Sequence, residues 1–151
     1  MYQYKAQQWL PMNMVDAWTF FSSPENLAKI TPPSMDFKMT SKAESSIYDG
    51  MIIDYKVKPL MGIAVKWRTE IDKVVFQKQF MDRQLKGPYK VWEHTHTFTE
   101  SDGGVLMNDV INYQLPFGFI GRIAHGLFVK RKLESIFNYR KETLIKLFGD
   151  K

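Results

Sequence analysis

The sequence contains no cysteine. Disulfide bridges, thiolate nucleophiles and cysteine-ligated zinc are therefore excluded, and nothing ties the chain to an oxidising compartment. No apolar run approaches the ~18 residues that a spanning helix requires. The opening "MYQYKAQQWLPMN" lacks a basic region followed by a long apolar stretch, so no secretory signal is expected. Also missing are a glycine-rich phosphate loop, a serine nucleophile elbow and an H-E-x-x-H zinc helix. No nucleic-acid motif is present, and no nucleic-acid partner is expected. These absences predict a soluble, cytoplasmic domain.

What is present suits one globular domain spanning residues 1–151, large enough to bury a core. Hydrophobic residues make up 44% and charged residues 25%, which excludes intrinsic disorder. The net charge of +5 is concentrated near the C-terminus. Arg122, Lys130, Arg131, Lys132, Arg140, Lys141 and Lys146 face only Glu134 and Glu142 within residues 119–148. Such a segment reads first as the solvated face of an amphipathic helix. Weak peripheral contact with anionic membranes through "GLFVKRK" is the alternative, but it lacks an extra apolar face.

Residues 2–10 read as a first strand, and Asn13 caps a short helix running to Phe21. Ser23, Pro24 and Glu25 start a second helix, which "TPP" at 31–33 ends. Strands then follow in series. Met35, Phe37 and Met39 alternate with polar neighbours, Met51 to Lys58 alternate again, and Ile63 to Asp72 give the cleanest period-two pattern. "FMDRQL", closed by the turn "KGPY", precedes the strand "YKVWEHTHTF". The Asp102-Gly103 pair marks a tight hairpin to "VLMNDVINYQL". From Phe119 the period becomes helical, with Ile123, Gly126, Leu127, Leu133, Ile136, Phe137, Leu144 and Leu147 as its apolar stripe. Half a dozen strands and one long terminal helix predict an antiparallel α+β domain. That helix must cover the greasy face of the sheet, and a cavity is expected where the two do not fully meet.

This order resembles the START-like, or helix-grip, superfamily, and specifically its bacterial ligand-binding SRPBCC branch labelled cyclase/dehydrase-like. The residues carrying the resemblance are "NLAKITPP", Gly50, Trp67, "FMDRQLKGPYKVWEHTHTF", "GGVLMNDVINYQLPFG" and "IFNYRKETL". One departure is the segment 76–78, where proline or glycine is expected and neither occurs. The resemblance implies a curved sheet of six to seven strands gripping the long helix, with two short helices after the first strand. It also implies a cavity for an apolar ligand, but no catalytic residue set.

The strand "YKVWEHTHTF" places Trp92, His94, His96 and Phe98 on one face. The two histidines have three readings. As metal ligands they stand ~7 Å apart along the strand and need a third donor, from Asp82 or Asp109. As an acid/base pair they would use Asp109 to fix a tautomer. The preferred reading is that His94, His96, Asp82, Gln84, Asp109 and Tyr113 satisfy one another as the polar lining of a wet cavity. Trp67, Phe80, Trp92, Phe98, Ile111 and Leu133 would supply its apolar wall. Gly121 and Gly126 either pack the helix start or let it approach a ligand. The chain is thus expected to bind a small hydrophobic or amphipathic molecule without metal or cofactor, as monomer or dimer. The alternative is an enzyme of the cyclase, dehydratase or hydrolase kind that uses a histidine and Asp109.

Overall fold

Period-two alternation becomes seven strands in the computed structural model, which describes residues 1–42, 46–58 and 63–150. They are β1 (Tyr2–Leu10), β2 (Lys38–Met39), β3 (Ile52–Val57), β4 (Val65–Val75), β5 (Gln79–Lys86), β6 (Val91–Ser101) and β7 (Gly104–Gln114). All pair antiparallel in one sheet ordered β1-β7-β6-β5-β4-β3-β2. Asp102 and Gly103 link β6 to β7 with φ of 49° and 77°. Both values are left-handed, as the tight turn matching strand twist demands. The β4–β5 turn manages without proline or glycine because Gln77 itself takes φ of 58°. Lys73 at φ 53° lies where the pairing of β4 with β5 slips between Asp72 and Val75. A second slip falls between Arg68 and Thr69. Such bulges bend a strand, so they curve the sheet around whatever lies on its inner face.

Two helical segments follow β1, as expected, but only α1 (Met14–Phe21) is a true α-helix. The Asn13 side chain accepts the Asp16 N–H at 2.8 Å and caps it. The second, Pro24–Ile30, is a 3-10 helix. The strand expected at Met35 is shorter than the alternation suggested. Met35 closes a 3-10 turn, Pro33–Met35, and only Lys38 and Met39 pair with β3. Pro32 and Pro33 lack the N–H that a ladder needs, which delays the strand.

The C-terminal helix comprises α2 (Gly118–Ala124), a π turn at His125–Val129 and α3 (Lys130–Phe148), 31 residues in all. The wider turn shifts the phase of the helix. Val129, Leu133 and Leu144 are buried against the sheet, whereas Ile123, Leu127 and Leu147 of the expected stripe are exposed. Phe117, Phe119, Ile120 and Phe128 are exposed with them, beside Arg122 and Lys130. The apolar face that "GLFVKRK" was expected to lack is therefore there. Arg140, read as part of a solvated basic face, is buried at 7% exposure. Among the described residues, no helix is long and apolar enough to cross a membrane.

Gly121 and Gly126 of this helix divide by environment. A Cβ on Gly121 would run into the carbonyl oxygen of Pro116, which is backbone, whereas one on Gly126 would meet open space. Gly121→Ala should therefore cost about 1–3 kcal/mol through overpacking. Gly126→Ala should be neutral, or stabilising by up to ~1 kcal/mol. Thermal unfolding by circular dichroism checks both, and equal effects would show that the close approach at Gly121 has no energetic weight.

Candidate functional site

Three neighbouring strands bring four titratable side chains to one spot on the inner face of the sheet. His94 and His96 project from β6, cross-strand partners on β5 are Asp82 for His94 and Phe80 for His96, and β7 sets Asp109 opposite His96. Antiparallel pairing alone dictates this cluster, because directly opposed side chains on one face lie within contact distance. The imidazoles stack 3.7 Å apart, with the Phe80 ring 4.2 Å beyond His96. Asp109 Oδ1 lies 2.7 Å from His94 Nε2 and 3.1 Å from His96 Nδ1. The second contact is out of line for a hydrogen bond, leaving His96 Nδ1 without one among the described residues. On the opposite side, Asp82 Oδ2 lies 2.7 Å from His96 Nε2 and 3.6 Å from His94 Nδ1. Arg140 reaches down from α3, its guanidinium 3.7 Å from Asp109 Oδ1 and facing the rings of Phe21 and Phe137. Asp82, His94 and His96 each offer one metal-binding atom, all within 4.8 Å of one another.

A cavity of about 200 Å³ lies between this cluster, α3 and the 3-10 helix, with Arg140 and Phe137 of α3 in its wall. Seven of the twelve residues expected at the site line it: Trp67, Phe80, Asp82, Trp92, His94, His96 and Leu133. The other five lie elsewhere. Gln84 donates to the Tyr89 carbonyl at 2.7 Å and accepts its N–H at 3.0 Å, bracing the "KGPY" turn. Phe98 packs against Trp18 and Phe21, and Ile111 joins Val129 and Leu133 in the core. Tyr113 turns to the helix, where its hydroxyl lies 2.6 Å from His125 Nε2. Burial and the nearby Tyr2 push that hydroxyl up to about 12. Asp109 stands behind the histidines and not in the cavity wall.

Several residues escaped the sequence reading. Arg140 is the chief one, and its signal was spacing: it shares a helical face with Leu133, Phe137 and Leu144, which a solvated cation would not. Tyr55, Thr69 and Tyr89 also line the cavity, the Tyr55 hydroxyl 3.4 Å from Thr69 Oγ1. Burial pushes the Tyr55 and Tyr89 hydroxyls far up, so both stay protonated donors. Trp67 Nε1 is buried without a hydrogen-bond partner among the described residues.

Burial acts on every charge here, and the partners decide its outcome. For Asp109 burial favours the neutral acid, but Arg140 and both histidines more than offset it and hold the carboxyl well below 3.8. Asp82 is lowered likewise, chiefly by His94 and His96 against burial. Burial, then the charge of His96, pushes His94 below 6.5. For His96 the two carboxylates outweigh burial and push it up. The two shifts are opposed: as pH falls, His96 takes up its extra proton before His94 does, and that charge joins Arg140 against the two carboxylates.

That balance makes stability depend on pH in two directions. His96 gains a proton on folding, so its contribution is complete below 6.5 and is lost as pH rises through its raised value. His94 loses one, so its contribution is complete above 6.5 and is lost as pH falls toward its lowered value. The carboxylates add a further loss as pH falls below 3.8. Urea unfolding of chelator-treated protein, followed from about pH 5 to about pH 9, should show maximal stability near neutrality and a decline on both sides. A monotonic rise would rule out opposed shifts of the two imidazoles.

No family model matches the chain, and no curated protein does. Solved structures do. Protein Ms6760 from Mycobacterium smegmatis matches at TM-score 0.67 and 18% identity, over 96% of this chain and 92% of that one. TTHA0849 from Thermus thermophilus matches at 0.66 and 15%, over 97% and 99%. Ara h 8.0201, a Bet v1-like protein, matches at 0.60 and 12%, over 96% and 98%. At these identities the likeness is one of fold. Sheet, gripped helix and these likenesses agree: the chain has the helix-grip fold of the START-like, SRPBCC-type proteins.

Proposed function

We propose that the protein binds a small hydrophobic or amphipathic ligand in the cavity between sheet and C-terminal helix, as a carrier, sensor or sequestering protein. The fold suggests ligand binding or cyclase-like use. The observation that carries the proposal is the make-up of the wall: it is mostly aromatic and aliphatic, with Asp82, His94, His96 and Arg140 gathered on one patch and Ser23, Asn26, Thr31, Thr69 and Lys132 as its other polar groups. An apolar shell with a few convergent polar groups is how proteins bury a ligand and fix its orientation. At about 200 Å³ the space is somewhat larger than the ~150 Å³ apolar cavity known to admit benzene. One or two rings fit it, with a polar substituent toward the histidines.

The same patch supports a second reading. Two stacked imidazoles whose proton affinities are pushed in opposite directions offer an acid and a base, the requirement for cyclisation or dehydration of a bound ligand. His94 and His96 would then be the acting groups, while Asp109 would fix their orientation from behind.

Filling the cavity tests the first reading directly. Ile136 lines it from α3 and is only partly buried, so Ile136→Trp should occupy the space at little cost to the fold. A two-ring fluorescent probe such as 2-naphthol should bind wild type with micromolar affinity and the variant at least ~10-fold more weakly, a loss of about 1.4 kcal/mol. Thermal melting should stay within a few degrees. Equal binding to both would place the probe on the exposed Phe117–Phe128 face and count against the cavity.

A further inference from the structure

Each imidazole of the cluster lies between two carboxylates, and this raises a question of protons. Asp109 Oδ1 lies at hydrogen-bond distance from His94 Nε2 and touches His96 Nδ1 only out of line. The remaining nitrogens, His94 Nδ1 and His96 Nε2, face Asp82 Oδ2 at 3.6 and 2.7 Å, the shorter contact being a hydrogen bond. Two imidazoles and a carboxylate oxygen thus converge on one point, where a metal ion can take the place of the shared proton. We propose that Asp82, His94 and His96 form a binding site for a divalent transition-metal ion, open toward the cavity.

Four observations support the site beyond its ligand set. The donor atoms lie within 4.8 Å of one another, while ligands of one tetrahedral ion with bonds of about 2.1 Å lie about 3.4 Å apart. The His94–Asp82 spacing of 3.6 Å already fits, and the His96–Asp82 pair need open by less than about 1 Å when an ion replaces the proton between them. Second, Asp109 touches the far nitrogen of both rings. A carboxylate behind each ligating histidine is the usual means of fixing tautomer and orientation in metal sites. Third, His96 is only 6% exposed yet keeps Nδ1 unpartnered among the described residues. A slight turn of the ring to point Nε2 at an ion would also bring Nδ1 into line with Asp109. Fourth, all three donors line the cavity and Asp109 does not, so the open coordination positions face the ligand space.

Chemistry narrows the ion. Two imidazoles and one carboxylate suit zinc, iron(II) or cobalt(II), whereas magnesium and calcium prefer all-oxygen shells. With Arg140 behind, a divalent ion leaves one positive charge unbalanced in a buried place. Hydroxide, or an anionic oxygen of the cavity's ligand, would neutralise it; this last point rests on the ligand-binding reading, the metal site itself does not.

The test uses untagged, chelator-stripped protein and the metal alone. Cobalt(II) titration should reach one equivalent per chain with visible absorption bands of a four- or five-coordinate nitrogen/oxygen site. Zinc should displace the cobalt, and magnesium should not. His94→Ala and His96→Ala should each abolish the bands, and Asp109→Asn should weaken binding by about 10–100-fold at unchanged stoichiometry. Should those variants not fold, nitrogen-15 spectra of the wild-type histidines decide. On adding zinc, His94 Nδ1 and His96 Nε2 should shift while His125 does not. Uptake below a tenth of an equivalent, bands that survive both alanine variants, or a shift of His125 in place of His94 and His96 would each overturn the site.

Discussion

Asp109 is the constraint on which the inner face of the sheet depends. A carboxylate at 3% exposure carries a desolvation cost of several kcal/mol unless paired on every side. Here the partners come from two other elements: His94 and His96 from β6, and Arg140 from α3. Each partner is itself buried, so none could be tolerated without the others. The helix is therefore held by more than apolar contact. Sliding α3 by one turn would put Arg140 about 5 Å away and strand two charges in the interior. Apolar packing favours gripping the helix somewhere, and the charge cluster selects where.

The same arrangement sorts the side chains of the cluster into two sets. Asp109 lies behind the rings against the core, while Asp82, both imidazoles and Arg140 reach the cavity. A proton or an ion gained on the cavity side changes which charge Asp109 must balance on the other. Ligand space and framework are thus coupled through two rings only one side chain thick. The stacking of Phe80 on His96 keeps those rings upright, and Trp92 meets His94 edge-on at 6.4 Å. Neither aromatic makes an ion pair with the cluster, but both limit how far an imidazole can turn.

Much of this was legible in the sequence, for a definite reason. Alternation is a local signal, so "VWEHTHTF" and "VLMNDVINY" gave both the strands and the inward faces. The Asp102-Gly103 turn fixed their register and with it the approach of Asp109 to His96. What was not legible depended on contacts distant in sequence. Gln84 sits on the cavity side by parity, yet the Tyr89 backbone five residues on offers it better hydrogen bonds. Tyr113 has the right parity too, but His125 captures it because the π turn brings that ring alongside Tyr2 at 3.5 Å. The π turn has no signature in composition, so the stripe through Ile123 and Leu127 ran straight where the helix changes phase.

Arg140 shows why charge counting misled. A basic segment is read as solvated because cations are costly to bury, and six of its seven basic residues obey that rule by lying at or near the surface. The seventh is the exception because Asp109 and Asp82 bring two carboxylates to the inner face, and Arg140 is the main cation holding Asp109 ionised. Neither residue makes sense alone. A buried Asp on β7 predicts a cation on whatever covers it, and the covering helix offers one candidate on its apolar stripe. Read together, Asp109 and Arg140 identify each other across 31 residues of chain, and the two imidazoles between Asp109 and Asp82 are where the cavity meets that pair.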